Sequence, residues 1–364
     1  MLLENIIAEI EKFAPLTYQE SYDNCGLLTG NKDQVVTGAI LCLDCTEEII
    51  EEAIRKKCNL IIAHHPIIFS GLKKINGNNY VERTIIKAIK NNIAIYACHT
   101  NLDNVKSGVN KKIADKLGLI NTQILAPKKS LLKKLVTFIP ASHLDNVREN
   151  LFNSGAGNIG NYDKCSFVLD GVGSFRGNEN SNPFIGEKNK LSLEKECRLE
   201  VIYEAVNEFQ IIKALMQNHP YEEVAYDIYQ LENSYQNIGS GMVGELEEPV
   251  AEIDFLERLK SVFMLKLIKH TPLLNKSVKK VALCGGSGSF LIKNAINSKS
   301  DIYISSDIKY HEFFDAENKI LIADIGHYET EQFTPEIFYE IISNKFPTFA
   351  SYLTETNTNP VNYY

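Results

Sequence analysis

The chain has 364 residues, of which 44% are hydrophobic and 23% are charged, and its formal net charge is −8. This length allows two or three compact domains, since single domains mostly contain about 100–200 residues. The negative charge argues against nucleic-acid binding, because proteins hold phosphate backbones with clustered Lys and Arg side chains. No apolar run approaches the ~20 residues of a membrane span, and eight cysteines are too few for a disulfide scaffold. We therefore expect a cytoplasmic protein with reduced thiols and no membrane contact.

The first 120 residues alternate between helical and strand patterns. The N-terminal sequence MLLENIIAEIEKFA has apolar residues at helical spacing, and its glutamates interrupt the apolar run that a signal peptide needs. The next predicted elements are a strand at 36–43, a helix at 46–57, a strand at 59–63, a helix at 80–90, a strand at 93–97 and a helix at 108–117. Strands that alternate with helices predict a mostly parallel sheet covered by helices.

The pattern changes after the stretch NTQILAPKKS at 121–130, which we interpret as a domain boundary. The elements that follow are a strand at 134–140, a helix at 142–153, a strand near 164–170, a polar loop at 173–192, a strand near 197–204, a helix at 207–217 and a strand at 224–231. This βαββαβ order is typical of the split βαβ, or ferredoxin-like, arrangement. Residues 131–235 are therefore predicted to form one domain.

The alternation of strands and helices returns from about residue 278. The strands VKKVALCG, DIYIS and KILIADIG are each followed by a helical pattern, from Ser289, at 309–316 and at 328–344. We therefore predict an α/β fold with a domain in two halves, residues 1–130 and 236–364, around a central sheet. The α+β domain at 131–235 interrupts these two halves.

Histidine and carboxylate residues follow three of the predicted strands. The strand LIIA is followed by His64 and His65, IAIYA by His99 and Asp103, and KILIADIG by His327 and Glu331. Ligands in open α/β sheets bind at the carboxyl ends of strands, and residues four apart on a helix project from the same face. Imidazole together with carboxylate suits zinc, manganese or iron. Each residue alone could instead cap a helix or fix a loop, but three matching strand ends favour a metal site.

Three other motifs are open to a functional interpretation. Residues 239–244 match the dinucleotide fingerprint GxGxxG but lack the strand and helix that should flank it. Residues 285–289, between a strand and a helix, form either a phosphate-binding turn or simply a tight turn. Asp307 and His311 are predicted to share a helical face after the strand DIYIS, where they either support the site or serve the fold.

Five motifs of this chain occur together, in the same order, in one known family. They are Tyr22-Asp23-Asn24-Cys25-Gly26-Leu27, the HHP at 64–66, His99-Thr-Asn-Leu-Asp103, Asp307-Ile-Lys-Tyr-His311 and Gly326-His-Tyr-Glu-Thr-Glu331. On these motifs the sequence resembles the GTP cyclohydrolase 1 type 2 homologs, also called Nif-three-like proteins. The family often has Trp in place of Tyr22 and Gly in place of Ser306.

The resemblance implies a centre with two divalent ions, zinc, iron or manganese. In that centre His64 and His327 would bind one ion, His65 and Asp103 would bind the other, and Glu331 would bridge them. The resemblance also implies a toroidal homohexamer. The inserted segment resembles the PII/CutA-like domain of the longer bacterial members.

The chemistry that we expect of such a centre is metal-assisted hydrolysis. Two divalent ions can polarise a carbonyl, a ring carbon or a phosphoryl group and can activate water. His99 and His311 are the candidate proton-transfer residues. The family name suggests opening of the guanine imidazole ring of GTP, and a phosphoester is the other candidate substrate. The competing hypothesis is a non-enzymatic, hexameric metal-binding protein that senses a small molecule through its inserted domain.

Overall fold

The computed structural model describes all 364 residues. The chain forms two compact units, one made of Met1–Pro127 with Gln236–Tyr364 and the other made of Lys128–Tyr235. The first unit is thus assembled from both ends of the chain, whereas the second is continuous in sequence. None of the helices is both long and apolar enough to cross a bilayer.

The N-terminal part of the first unit contains a mostly parallel sheet, in which only β1 is antiparallel to its neighbour, with helices packed on it. Its elements are α1 (Leu3–Phe13), β1 (Gly26–Thr29), β2 (Gly38–Cys42), α2 (Glu47–Arg55), β3 (Leu60–Ala63), α3 (Tyr80–Lys90), β4 (Ala94–Ala97), α4 (Thr100–Asn104), α5 (Val109–Lys116) and β5 (Ile120–Lys128). Strands β2, β3 and β4 are parallel and buried along their whole length. Such continuous apolar runs are typical of parallel strands that are covered on both faces.

The second unit has four strands and two helices in the order βαββαβ. Its elements are β6 (Leu132–Pro140), α6 (Leu144–Asn153), β7 (Phe167–Phe175), β8 (Ser192–Glu204), α7 (Glu208–Asn218) and β9 (Tyr226–Leu231). The strand order β7-β8-β6-β9 is that of the split βαβ arrangement. Leu151 of α6 and Ile211 of α7 share one core with alternate residues of β8, such as Leu199 and Val201. The alternation of buried and exposed residues along β8 places this core on one face of the sheet.

The C-terminal part of the first unit forms a second sheet. Its elements are β10 (Tyr235–Ala251), α8 (Glu252–Phe263), β11 (Lys269–His270), β12 (Ser277–Ser287), α9 (Ile292–Asn297), β13 (Ile302–Ser306), β14 (Leu321–Asp324), α10 (His327–Glu331), α11 (Thr334–Lys345) and β15 (Ala350–Leu353). The strand order is β11-β14-β13-β12-β10-β5, with β12, β13 and β14 parallel. The other sheet has the order β1-β4-β3-β2-β15.

The mixed α/β class is confirmed, but the first unit contains two sheets where the sequence led us to expect one central sheet. Each part of the chain contributes one strand to the sheet of the other part. Strand β15 pairs in parallel with β2, and β5 lies beside β10. This exchange of strands ties the two ends of the chain into one unit.

Strands β5 and β10 were both missed by the sequence analysis, which took 121–130 as a boundary and assigned no strand to 239–244, where it disfavoured nucleotide binding. A Cβ added at Gly239 would lie 2.2 Å from the Ala126 carbonyl oxygen and 2.7 Å from the Pro127 Cα. Glycine is thus required where the two strands approach closely. The GxGxxG pattern serves sheet packing, because it lies inside a strand and not between a strand and a helix.

We expect the first unit to fold without the second. Because Pro127 and Gly239 lie against each other, a short Gly/Ser linker can replace Lys128–Tyr235 without stretching either strand. The shortened protein should be soluble, unfold in one cooperative transition and bind as much metal per chain as the full-length protein. Circular dichroism melts and elemental analysis measure these properties. Insoluble protein, or soluble protein without metal, would contradict this expectation.

Candidate metal centre

Three strand ends deliver the candidate ligands to one edge of the first unit. His64 and His65 directly follow β3, Asp103 lies on α4 after β4, and His327 and Glu331 form the two ends of α10 after β14. The backbone N–H groups of His64 and His65 donate to the carbonyls of Cys42 and Leu43, which extends the pairing of β3 with β2. The histidine pair is therefore held by sheet hydrogen bonds.

The four other predicted metal ligands lie around the carboxylate of Glu331. Its Oε2 atom is 3.0 Å from His65 Nε2 and 3.1 Å from His327 Nε2. Its Oε1 atom is 3.7 Å from His64 Nε2, which is itself 3.6 Å from Asp103 Oδ1. Three groups of potential ligands result. Two of them share Glu331, namely His65 with His327 and Glu331, and His64 with Asp103 and Glu331, and the third is His64 with His65 and His99.

This grouping differs from the one that the family resemblance implied. The resemblance paired His64 with His327, and His65 with Asp103. In the structure His65 and His327 face each other instead, with their Nε2 atoms 3.3 Å apart. Glu331 takes part in two of the three groups, as the resemblance implied for a bridging carboxylate.

Two unpaired polar atoms support the fit of a metal ion to these residues. His64 Nε2 and Asp103 Oδ1 are buried and have no hydrogen-bond partner. Buried polar atoms without partners are costly, so they call for a ligand that satisfies them. An imidazole nitrogen and a carboxylate oxygen that face each other fit a divalent transition-metal ion.

Each histidine at this edge is oriented by a hydrogen bond from its other ring nitrogen. The Nδ1 atom of His64 lies 2.9 Å from the Cys98 carbonyl oxygen. The Nδ1 atoms of His65, His327 and His99 lie 2.7 Å, 2.6 Å and 2.9 Å from carboxylate oxygens of Asp44, Asp307 and Asp23, respectively. A ring that donates from Nδ1 keeps its Nε2 lone pair for a metal or a proton. The set of hydrogen bonds therefore prepares these rings for binding through Nε2.

The pKa values of the site reflect its crowding of carboxylates and imidazoles. Burial alone would lower the pKa of His65, but its hydrogen bonds to Asp44 and Glu331 outweigh burial and raise the pKa to about 10. The pKa of His327 is raised to about 9 in the same way, against burial, by Glu331 and then by Asp307. Burial raises the pKa of Asp103, and the nearby Glu331 adds to this increase. His65 and His327 therefore hold protons at neutral pH unless an ion displaces them.

A glycine-rich turn makes room for Glu331. A Cβ at Gly286, which has a φ of 62°, would lie 2.4 Å from Glu331 Oε1. The N–H of Gly286 donates to the Thr330 hydroxyl at 3.0 Å, and the N–H of Gly285 donates to the Asn110 side chain at 2.9 Å. The N–H groups of Gly285 and Gly286 are thus used within the protein, and the turn makes room for the carboxylate.

The two candidate proton-transfer residues lie in different surroundings. The ring centroid of His99 is 5.2 Å from that of His64 and 5.3 Å from that of His65. Burial alone would raise the pKa of Asp23, but hydrogen bonds from His99 and Thr100 outweigh burial and hold that pKa well below its usual range. His99 is thus held by an ionised carboxylate beside the ligands.

His311 is not brought to the metal ligands. It is exposed on the 3₁₀ segment Tyr310–Ala316, where its ring contacts Tyr310 and Phe314. The helical face that Asp307 and His311 were predicted to share does not form, because Asp307 lies before the helix with a left-handed φ of 54°. Asp307 instead contacts His327.

The C-terminal segment 354–364 also supports the site, and nothing in the sequence indicated this role. The Thr358 hydroxyl donates to Asp44 at 2.9 Å, and Asp44 in turn holds His65. The start of this segment is held by Glu52, whose carboxylate accepts hydrogen bonds from the Thr354 and Thr356 hydroxyls. Asp44 itself follows β2 closely, so the strand-end reasoning that identified His64 could also have found Asp44.

The fold and the site together define an α/β protein whose clustered histidines and carboxylates can hold metal. A family model described as Duf34/NIF3 (NGG1p interacting factor 3) matches residues 1–360. A Halalkalibacterium halodurans protein named GTP cyclohydrolase 1 type 2 homolog is 38% identical over 89% of this chain and 88% of its own length. A Bacillus subtilis protein with the same name is 37% identical over 98% of this chain and 97% of its own length.

Solved structures agree with these relatives. The crystal structure of a Bacillus cereus protein related to NIF3 superposes with a TM-score of 0.85 at 36% identity, covering 100% of this chain and 99% of that chain. The chain therefore belongs to the Duf34/NIF3 family, which confirms the resemblance seen in its motifs.

Substitutions of single ligands should separate the two groups. His65→Ala should remove metal bound by His65 and His327, Asp103→Ala should remove metal bound by His64, and Glu331→Ala should weaken both, because its two oxygens face different groups. Metal content by elemental analysis and melting temperature with and without chelator measure the effect, since ions that bind the folded state stabilise it. The matched control His270→Ala removes an exposed histidine of β11 and should change neither. Equal metal content in all four variants would rule out this site.

Metal binding should release protons and strengthen as the pH rises. His65, with a pKa of about 10, and His327, with a pKa of about 9, are protonated at pH 7 in the metal-free protein and must lose these protons to bind an ion. Below those pKa values each displaced proton should make the affinity increase by up to about tenfold per pH unit. Titration calorimetry in buffers of different ionisation enthalpy counts the protons. An affinity that is independent of pH, with no proton released, would contradict the assignment.

Proposed function

We propose that this protein is a hydrolase that depends on two divalent ions of zinc, manganese or iron. The observation that carries the proposal is the position of Glu331 between two sets of potential metal ligands. Its Oε1 atom faces His64, and its Oε2 atom faces His65 and His327. A carboxylate shared in this way is typical of sites with two ions. His65 and His327 would hold one ion, and His64 and Asp103 would hold the other, with Glu331 between them.

Bound ions would supply Lewis acidity, which polarises the substrate and lowers the pKa of water toward neutrality. The protein supplies position and proton transfer. Asp23 keeps the His99 ring oriented with its Nδ1 toward the carboxylate, so that Nε2 can accept a proton from water or donate one to the leaving nitrogen or oxygen. We assign proton transfer to His99 in preference to His311, because the ring of His311 is exposed and lies in neither cavity beside the ligands.

Because relatives are named GTP cyclohydrolase 1 type 2 homolog, guanine compounds are the first substrates to test. Hydrolysis of such a compound would open its imidazole ring at the carbon between two nitrogens. Phosphoesters are the other substrates to test, because the same ions can polarise a phosphoryl group. We also propose a cytoplasmic homohexamer. The free state of all eight cysteines is consistent with a reducing compartment.

A second function is supported by a cavity in the unit Lys128–Tyr235. This cavity of about 730 Å³ is lined by Phe175, Phe184 and Tyr221, and Tyr221 donates a hydrogen bond to Glu196 at 2.7 Å. In this alternative the unit acts as a PII/CutA-like sensor of a small molecule within a non-enzymatic hexamer that binds metal. The cavity size suits such a ligand.

The hydrolase proposal is tested by comparing wild-type protein with His99→Gln. We expect metal-loaded wild type to consume at least one guanine compound or phosphoester, and His99→Gln to lower kcat by about 10²–10⁴-fold with unchanged metal content. His311→Gln is the matched comparison and should keep its activity. Loss of metal in His99→Gln would make His99 a ligand instead. Fully metallated wild type that consumes none of these compounds above the rate without protein would favour the sensor function.

A further inference from the structure

Two cavities reach the metal ligands from different sides. The smaller one, of about 220 Å³, is lined by His99, Asp103 and Glu331, and by the aromatic rings of Tyr22 and Phe290. The larger one, of about 620 Å³, is lined by His65 and the C-terminal segment, including Tyr363. His327 lines both cavities. Both spaces give access to the candidate ligands.

The charges in both cavities are mostly negative. The carboxylates are Glu20, Asp103 and Glu331 in the smaller cavity and Asp44, Asp307, Asp324 and Glu329 in the larger one. Lys269 is the one Lys or Arg residue in either lining, and it is paired with Asp324 at 2.6 Å. Even two divalent ions would leave these cavities with more negative than positive charge.

These linings lack the usual means of holding a polyphosphate. Proteins bind nucleoside triphosphates with Lys and Arg side chains and with free N–H groups of glycine-rich turns or helix starts. The glycine-rich turn at this site already uses the N–H groups of Gly285 and Gly286 for Asn110 and Thr330. Carboxylates such as Glu329 would repel a phosphate chain at the distances of the larger cavity.

Aromatic side chains, in contrast, are exposed beside the ligands. Tyr22 is 64% exposed, Phe69 is 51% exposed and Phe290 is 65% exposed. The ring of Phe69 lies 6.4 Å from the rings of both Tyr22 and His99. Large apolar rings at the entrance of a polar site provide stacking surfaces for a flat ligand.

We propose that the substrate is a planar nitrogen heterocycle without phosphate groups, uncharged or cationic, such as a purine base or nucleoside. Its ring would contact Tyr22, Phe69 and Phe290, and the surrounding carboxylates would exclude the triphosphate. This substrate class rests on the proposed hydrolase function, but recognition of the ring can be measured separately from turnover.

The experiment measures binding of guanosine, 7-methylguanosine and GTP to full-length, zinc-loaded protein by titration calorimetry. The methylated ring of 7-methylguanosine carries a positive charge, so the three ligands share one ring system and differ in charge. We expect guanosine and 7-methylguanosine to bind at least about tenfold more tightly than GTP, because the carboxylates repel phosphate. Metal content is checked after each titration, since GTP can remove metal from the protein.

Two variants with matched controls test the residues. Phe290→Ala should weaken binding of guanosine by about tenfold, as expected for loss of one stacking ring. Phe314→Ala also removes an exposed ring, but one outside both cavities, and should have no effect. Glu20→Lys, in the smaller cavity that Tyr22 and Phe290 also line, should raise the affinity for GTP relative to guanosine. Glu257→Lys makes the same change of charge on α8, outside both cavities, and should leave this ratio unchanged.

The outcomes are distinct. GTP binding as tightly as guanosine or more tightly, or binding of none of the three ligands, would overturn the proposed substrate class. Preferential binding of guanosine and 7-methylguanosine would support the class even if none is consumed, and the absence of turnover would then count against the hydrolase function alone. Metal-dependent turnover of GTP in preference to guanosine would uphold the hydrolase and overturn the class.

Discussion

The burial of one carboxylate, that of Glu331, is the constraint on which the rest of the site depends. Its side chain is almost fully buried, yet burial of an unpaired charge is prohibitively costly. Contacts with His64, His65 and His327 outweigh burial and hold the pKa of Glu331 well below its usual range. The carboxylate therefore stays ionised and collects imidazole rings from separate strand ends. Their arrangement follows from the need to surround this charge.

The two sheets of the first unit make this assembly possible. The sheet that contains β3 and β4 supplies His64, His65 and Asp103, and the sheet that contains β12 and β14 supplies the glycine-rich turn and α10. The strands that cross over, β5 and β15, tie each part of the chain to the other sheet. The C-terminal segment adds a further link through Thr358 and Asp44. The site is thus held by distant parts of the sequence, which favours a fixed geometry.

Sequence reasoning singled out these candidate ligands because His64 and His65 directly follow a buried strand and the others lie on the short helices that come after one. A histidine such as His64, next to four apolar residues, is visible as an exception in a regular pattern. Asp307 was singled out for the wrong geometry, since a left-handed backbone at that position cannot be distinguished from the start of a helix by residue type alone. Strand β10 was missed because its glycines, required for close contact with β5, resemble a loop. Contacts between distant segments, such as Thr358 with Asp44, leave no periodic signal at all.

The metal-free site is stabilised by protons in the positions that ions would take. The pKa of His65 is raised by Asp44 and Glu331, and the pKa of His327 is raised by Glu331 and Asp307. The pKa of Asp103 is raised by burial and by the nearby Glu331. Positive imidazolium rings and a neutral Asp103 together reduce the net charge of the buried cluster. An ion that binds these residues must displace the protons, so its net affinity is the difference between the free energies of binding the metal and of binding those protons.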